Sequence, residues 1–137
     1  VIINKKPFLG ICIGLQLLAD EGHENKLTKG FGWISGNVVK IKGSRNLRVP
    51  HMGWNSVNIK SKSGLFSNFH DNPTFYFVHS YYLKAKSEKS VTSTCSHGQT
   101  MVASVQKDNI YAVQFHPEKS QENGLKLLEN FFTEVNY

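Results

Sequence analysis

The sequence has little cysteine and no recognisable metal-binding pattern. Its 137 residues contain two cysteines, Cys12 and Cys95, and no CxxC, HxxH or HExxH spacing. Two cysteines without an export signal are typical of free thiols in a cytosolic protein. We therefore expect no disulfide, no metal site, no cofactor and a cytoplasmic location.

Long apolar runs and arginine clusters are also missing. The longest apolar stretch, residues 7–19, is too short to span a membrane, and no small-residue cleavage site follows it. The net charge of +6 is spread over lysine pairs beside alternating apolar residues, which is typical of solvated strand ends. The alternative is that these lysine pairs bind an anionic partner surface. No helix-turn-helix or RNA-binding motif occurs, so we expect neither a membrane nor a nucleic acid as partner.

Apolar periodicity predicts mostly β-structure between two helices. Residues 7–11 are a buried, central parallel strand in this interpretation, residues 13–19 a helix and residues 22–36 a loop. Period-two patterns predict strands over 38–42, 57–60, 74–78, 81–85, 91–95, 101–105 and 110–115. A final helix over 122–135 would bury Leu125, Leu128, Phe131 or Phe132, and Val135.

These elements predict one domain with an open α/β sheet. A central parallel strand needs a neighbour on each side, and little sequence precedes residue 7 to provide one. We therefore expect residues 1–137 to be the C-terminal part of a single domain, with the first βα units absent.

A possible nucleophile lies in Gly10-Ile11-Cys12-Ile13-Gly14. This pentapeptide matches the G-x-nucleophile-x-G elbow, in which glycines permit close packing of a strand against the helix that follows. The helix N-terminus would lower the pKa of Cys12, and its free N–H groups would hold an oxyanion. A buried structural thiol is the alternative that the pentapeptide leaves open.

A possible base lies at the end of the predicted strand 110–115. His116 and Glu118 are two residues apart on an extended segment, so both side chains can reach the same face. Glu118 could then fix the tautomer of the imidazole. A surface histidine beside a carboxylate is the alternative for an isolated triplet of this kind.

The segments GICIGLQLL and QFHPE together resemble the class I glutamine amidotransferases. PHMGWN, YFVHSYY and the KSQ that follows HPE extend the resemblance, in the family's order, over nearly the whole chain. It implies an open mixed sheet with flanking helices. It also implies that Cys12, His116 and Glu118 hydrolyse glutamine to glutamate and ammonia through a cysteine thioester.

The resemblance assigns further roles. The N–H of Ile13 would be an oxyanion donor. Substrate contacts would come from Gln16, His79, Ser80 and Tyr81. The family's docking face for a synthase subunit of (β/α)8 barrel type, which receives the ammonia in a heterodimer, matches His51, Met52, Trp54, Tyr76 and Lys119.

Within the family, the set of motifs resembles the branch that serves histidine biosynthesis. A paralogue that aminates a surface-sugar precursor and a non-catalytic scaffold are the alternatives. The family's glycine-rich loop, which supplies a second oxyanion donor, has no counterpart in these residues. Losing one such donor costs about 10²- to 10³-fold in kcat, so we expect residues 1–137 alone to be inactive or poorly soluble.

Overall fold

The structure is a computed structural model, and it describes residues 1–135. Two α-helices lie within these residues, α1 (Ile13–Gln16) and α2 (Gln121–Glu134), with 3₁₀ turns at Gly64–Phe66, Glu88–Ser90 and Pro117–Lys119. The strands are β1 (Phe8–Ile11), β2 (Glu21–Gly22), β3 (Thr28–Lys29), β4 (Gly36–Lys40), β5 (His51–Ser56), β6 (Asn58–Ile59), β7 (Thr74–His79), β8 (Tyr81–Ala85), β9 (Val91–Ser96), β10 (Thr100–Lys107) and β11 (Ile110–Val113). Neither helix is both long and apolar enough to cross a membrane.

The strands form one five-stranded sheet and two smaller ones. The order of the large sheet is β1-β11-β10-β9-β6, with β1 parallel to β11 and the other pairs antiparallel. A four-stranded sheet has the order β3-β2-β4-β8, and β5 pairs with β7. Mixed sheets with flanking helices confirm the predicted α/β fold class.

Strand β11 holds the two halves of the core together. Its side chains alternate between the faces of the sheet, as the pleat requires. Ile110 and Ala112 pack in one apolar cluster with Leu15 and Leu18 of the α1 segment. Tyr111 and Val113 pack on the other face with residues of α2. The residues that follow β11 are therefore fixed between two packed layers.

The strands predicted from residue 38 onward all have counterparts in the structure, and the final helix begins one residue earlier than predicted. Strand β5 was missed because its pattern is inverted, with the apolar Met52 and Trp54 exposed and the polar His51 buried, and because it contains Gly53 at φ 118°. Its pairing with β7 supplies the order that its own sequence does not indicate. The predicted loop 22–36 also contains the short strand β3.

Strand β1 is parallel as expected, and it lies at the edge of the sheet formed by the described residues, so its central position in a larger sheet stays a prediction. One packing prediction was wrong. In α2, Leu125 is 62% exposed, whereas Leu127 is fully buried. The buried face passes through Gly124, where an added Cβ would lie 1.8 Å from the carbonyl oxygen of Pro117. This close approach, possible only for glycine, turns the helix away from the predicted orientation.

Candidate active site

Cys12 stands on a strained turn between β1 and α1. Its N–H donates to the Val113 carbonyl at 2.8 Å, and its backbone has φ 55° and ψ −103°. Non-glycine residues adopt such angles only where the surrounding structure enforces them. A Cβ added to Gly10 would lie 2.6 Å from the Gly14 carbonyl oxygen, as the elbow predicts, but one added to Gly14 would meet no atom within 4 Å. Close packing therefore explains the first glycine and not the second.

The thiol of Cys12 is half-buried between polar groups. The side-chain amide of Gln114 donates to Sγ at 3.6 Å, and the thiol faces the Val78 carbonyl oxygen at 3.9 Å. Burial raises the pKa of Cys12, and this outweighs the lowering by the Ile13 N–H and by Gln114. The predicted net lowering of this pKa was wrong, because the thiol is partly withdrawn from water. Cys12 therefore needs a base to react at neutral pH.

His116 and Glu118 form an ion-pair geometry on the segment after β11. His116 Nδ1 lies 2.9 Å from Glu118 Oε2, and the histidine side chain is 18% exposed. A carboxylate at Nδ1 favours a proton there and leaves Nε2 free to exchange protons with a reacting group. This is the arrangement expected of a base and the residue that orients it.

Cys12 and His116 lie on segments that leave the same edge of the sheet. Strands β1 and β11 are parallel neighbours, so Cys12 and His116 both follow carboxyl ends that lie side by side. The charges of Glu118 and Lys119 affect the pKa of Cys12, which reflects how near this segment lies to the thiol. Within residues 1–135 no hydrogen bond joins Cys12 to His116. In unliganded enzymes such contacts often form only with substrate.

Ser120 anchors the base to strand β7. Its hydroxyl donates to the His116 carbonyl oxygen at 2.6 Å and accepts from the Tyr76 N–H at 2.9 Å. The His116 N–H in turn donates to the Tyr76 carbonyl at 2.9 Å. Ser120 is 1% exposed and makes no side-chain capping bond to α2.

Gln16 and Gln114 connect the thiol to strand β8. Gln16 Nε2 donates to the Tyr81 carbonyl oxygen at 2.9 Å and to Gln114 Oε1 at 3.2 Å. Gln114 is fully buried and was not predicted as a site residue. A glutamine at the end of the apolar run YAVQF was the signal that could have identified it, because a buried amide needs specific partners.

The segment His79-Ser80-Tyr81 lies against these glutamines. His79 is 6% exposed, and its Nδ1 donates to the Tyr81 carbonyl oxygen at 2.9 Å. The Ser80 carbonyl accepts the Ile41 N–H at 2.8 Å. The segment is thus fixed by hydrogen bonds next to Gln16.

The residues assigned to partner docking divide into an exposed and a buried set. Met52 and Trp54 are 61% and 50% exposed, and Trp54 makes an edge contact with Tyr76 at a centroid distance of 6.1 Å. Lys119 Nζ lies 5.9 Å from the centre of the Tyr76 ring. We call these four residues the aromatic patch. His51 is 4% exposed and lies beneath the surface, so its side chain is not part of this patch.

A cavity of about 560 Å³ opens beside α1. Its walls include Ile13 and Gln16, together with the charged residues Glu24, Lys26 and Lys29. Cys12 is not among the residues that line it. The cavity thus reaches the elbow from the side of Gln16.

The strained cysteine and the oriented histidine, on an α/β sheet, are features of an amidotransferase. The chain belongs to the family described as "Glutamine amidotransferase class-I", whose profile matches residues 1–135. More particularly, it is similar to proteins named as subunits of one synthase. It is 50% identical over 131 residues to "Imidazole glycerol phosphate synthase subunit HisH 1" of Campylobacter jejuni, covering 96% of this chain and 65% of that one.

Other comparisons agree. The Pelagibacter ubique protein "Imidazole glycerol phosphate synthase subunit HisH" is 47% identical over 131 residues, covering 95% of this chain and 63% of its own. The chain thus spans just under two thirds of the length of these curated relatives.

Solved structures share the fold at low identity. A putative GMP synthase subunit from Thermoplasma acidophilum aligns with a TM-score of 0.67 at 21% identity, over 96% of this chain and 58% of that one. A glutamine amidotransferase from Thermotoga maritima aligns with a TM-score of 0.64 at 19% identity, over 98% and 50%.

Proposed function

We propose that Cys12, His116 and Glu118 hydrolyse glutamine to glutamate and ammonia. The observation that carries this proposal is the His116–Glu118 pair at 2.9 Å, on the strand end beside the elbow cysteine. His116 takes the thiol proton, and the sulfur attacks the amide carbon to form a γ-glutamyl thioester. The imidazolium gives its proton to the departing ammonia, then accepts one from the water that cleaves the thioester. The N–H of Ile13 stabilises the oxyanion.

We propose that the substrate enters through the cavity beside Gln16. Gln16 and the backbone of residues 79–81 contact its amino-acid end. Glu24 on the cavity wall suits an α-ammonium group, and Lys26 and Lys29 suit an α-carboxylate. No cofactor or metal takes part in this chemistry.

We propose that the ammonia passes to a (β/α)8 synthase subunit that makes imidazole glycerol phosphate in histidine biosynthesis, a lyase reaction in the cytoplasm. The relatives' names support this partner. The aromatic patch suits the heterodimer interface, because exposed tryptophan and tyrosine are common anchors at such surfaces. A closed interface also protects ammonia, which loses its nucleophilicity when protonated in water.

A paralogous amidotransferase for a surface-sugar precursor is a second candidate. Methanococcus maripaludis has two relatives of this chain, named HisH 1 and HisH 2, each 46% identical to it. Duplicated subunits in one organism are consistent with separate synthase partners. The synthase subunit that binds this protein and raises its glutaminase rate distinguishes the two candidates.

Labelling with 6-diazo-5-oxonorleucine tests the glutaminase proposal. This glutamine analogue alkylates the attacking thiol. We expect the protein as it is made in the cell, with its synthase subunit, to be labelled at Cys12, and the label to disappear in Cys12→Ala. Cys95→Ala is the matched control, because burial raises the pKa of Cys95 to about 12 and makes it unreactive. Absence of label with and without the synthase subunit would instead identify a non-catalytic scaffold.

A further inference from the structure

We propose that His51 and His79 are positioning residues that fix the carbonyl of Tyr81, and through it the amide of Gln16, for glutamine binding. Their side chains form a directed hydrogen-bond chain with Asn55, which we call the histidine chain. This inference deepens the proposed glutaminase function and rests on it.

The Asn55 end fixes the proton position on His51. Asn55 Nδ2 donates to the Ser96 carbonyl oxygen at 2.8 Å, which identifies this atom as the amide nitrogen. The same nitrogen lies 3.0 Å from His51 Nε2. Because an amide N–H can only donate, His51 Nε2 accepts, and the proton of the neutral ring lies on Nδ1.

The Tyr81 end independently fixes the proton position on His79. His79 Nδ1 lies 2.9 Å from the Tyr81 carbonyl oxygen, which can only accept, so Nδ1 carries the proton. The neutral ring then accepts at Nε2. His51 Nδ1 lies 2.9 Å from that atom and donates to it. Both ends therefore require the same direction of donation, from Asn55 to Tyr81.

Burial keeps both rings neutral. His51 and His79 are 4% and 6% exposed. Desolvation and the neighbouring His79 and His97 lower the pKa of His51 to about 4, and desolvation also lowers the pKa of His79. A proton added to Nε2 of either ring would place an N–H against the N–H that now donates to that atom, and the hydrogen bond would be lost. The histidine chain therefore keeps a single protonation pattern at neutral pH.

The histidine chain ends on the Tyr81 carbonyl oxygen, which orients the amide of Gln16. The Tyr81 carbonyl oxygen accepts both from His79 and from Gln16 Nε2, at 2.9 Å each. Gln16 Nε2 also donates to Gln114 Oε1 at 3.2 Å. With its amide nitrogen occupied, Gln16 has Oε1 left as the atom that accepts from the substrate's ammonium group. If the Tyr81 carbonyl rotates, Gln16 loses this orientation.

The histidine chain begins on β5, the strand that also carries Met52 and Trp54 of the aromatic patch. Residues alternate along β5, so His51 and Asn55 share one side, while Met52 and Trp54 of the aromatic patch point to the other. One strand thus carries both the proposed partner surface and the first links toward the glutamine pocket.

Two substitutions of His79 test the inference because each keeps half of the ring's hydrogen bonds. His79→Asn places an amide near the position of Nδ1 and can still donate to Tyr81. His79→Gln places its amide near the position of Nε2, so it keeps the hydrogen bond with His51 but loses the one to the Tyr81 carbonyl oxygen. We expect His79→Gln to raise the KM for glutamine about tenfold, the size of one lost hydrogen bond, with kcat little changed. His79→Asn should remain within about threefold of the parent protein.

A control and a spectroscopic measurement complete the test. His97→Phe preserves the stacking on His51 without belonging to the chain, so its KM should equal that of the parent protein. Equal KM values for His79→Asn and His79→Gln would overturn the inference, since a purely structural role would not separate them. Imidazole ¹⁵N NMR of the parent protein at neutral pH should show Nδ1-protonated His51 and His79.

The two proposals fail in different experiments. A different tautomer or a charged ring would overturn the histidine chain and leave the glutaminase proposal standing. Unlabelled Cys12 in the diazo-oxonorleucine experiment would overturn the glutaminase proposal, whatever the NMR result.

Discussion

Replacing Ser120 with alanine should reduce both stability and turnover. The hydroxyl is 1% exposed and is the partner of the Tyr76 N–H, so its loss leaves a buried donor unpaired, at a cost of about 1–3 kcal/mol. The His116 carbonyl also loses a bond, but it keeps the Lys119 N–H at 3.0 Å, so this second loss is near 0.5 kcal/mol. We expect a total of about 2 kcal/mol, or a fall in melting temperature of about 8 °C for a chain of this size.

The same change should loosen the base. Ser120 is one of the groups that hold the His116 backbone against β7, and a misplacement on the order of 1 Å can cost about 10²-fold in rate. Glutaminase assays well below the melting temperature should therefore show a reduced kcat. Asn130→Ala is the matched control. It also removes two side-chain bonds to carbonyl oxygens, those of Leu65 and Ser67, but it lies away from the site.

Comparing kcat in Ser120→Ala and Asn130→Ala shows whether Ser120 positions His116. Asn130→Ala should lower the melting temperature and leave kcat unchanged. If Ser120→Ala lowers kcat no more than Asn130→Ala does, the serine is only a structural group and the positioning argument is wrong.

Three further predictions concern the thiol, its base and the partner surface. Glu118→Gln should lower kcat by roughly 10²-fold with little change in KM, because the amide no longer stabilises the imidazolium; an unchanged kcat would contradict the pairing. Because burial raises the pKa of Cys12, its alkylation by iodoacetamide should still be increasing above pH 9, with Cys95 unreactive as an internal control; a plateau below pH 8 would contradict this. Trp54→Ala should weaken binding to the synthase subunit by about 2 kcal/mol in calorimetry, whereas Leu125→Ala, another exposed apolar residue, should not.

Periodicity and turn residues were enough to predict most of the fold. Strand β8 was predicted with its observed limits, Tyr81–Ala85, and its two tyrosines favour a strand. Strand β5 was not predicted, since its apolar residues Met52 and Trp54 face outward and its polar His51 faces the core, the reverse of the usual pattern. The predicted face of α2 is right at Phe131, which is buried, and at Val135, which packs against the core. It is wrong at Leu125, because the neighbouring Gly124 contacts the Pro117 carbonyl, which lies outside the helical pattern.

The candidate site also has some features that the sequence predicts and others that only the structure shows. Cys12, His116 and Glu118 were proposed from spacing, chemical type and family resemblance, which can be read from the sequence itself. The direction of the Cys12 pKa shift depends on burial, which no local motif contains. Gln114 and the partners of His51 depend on contacts between distant segments, so they became visible only in three dimensions.

The contact of Gly124 with Pro117 has a consequence for how this protein can vary. The helix backbone rests directly on the turn that carries His116 and Glu118, with no side chain between them to absorb a change. A side chain at Gly124 would push the first turn of α2 away from Pro117 and move His116 with it. The first turn of α2 therefore joins the parts of the molecule whose substitution should alter turnover, although it does not itself reach glutamine.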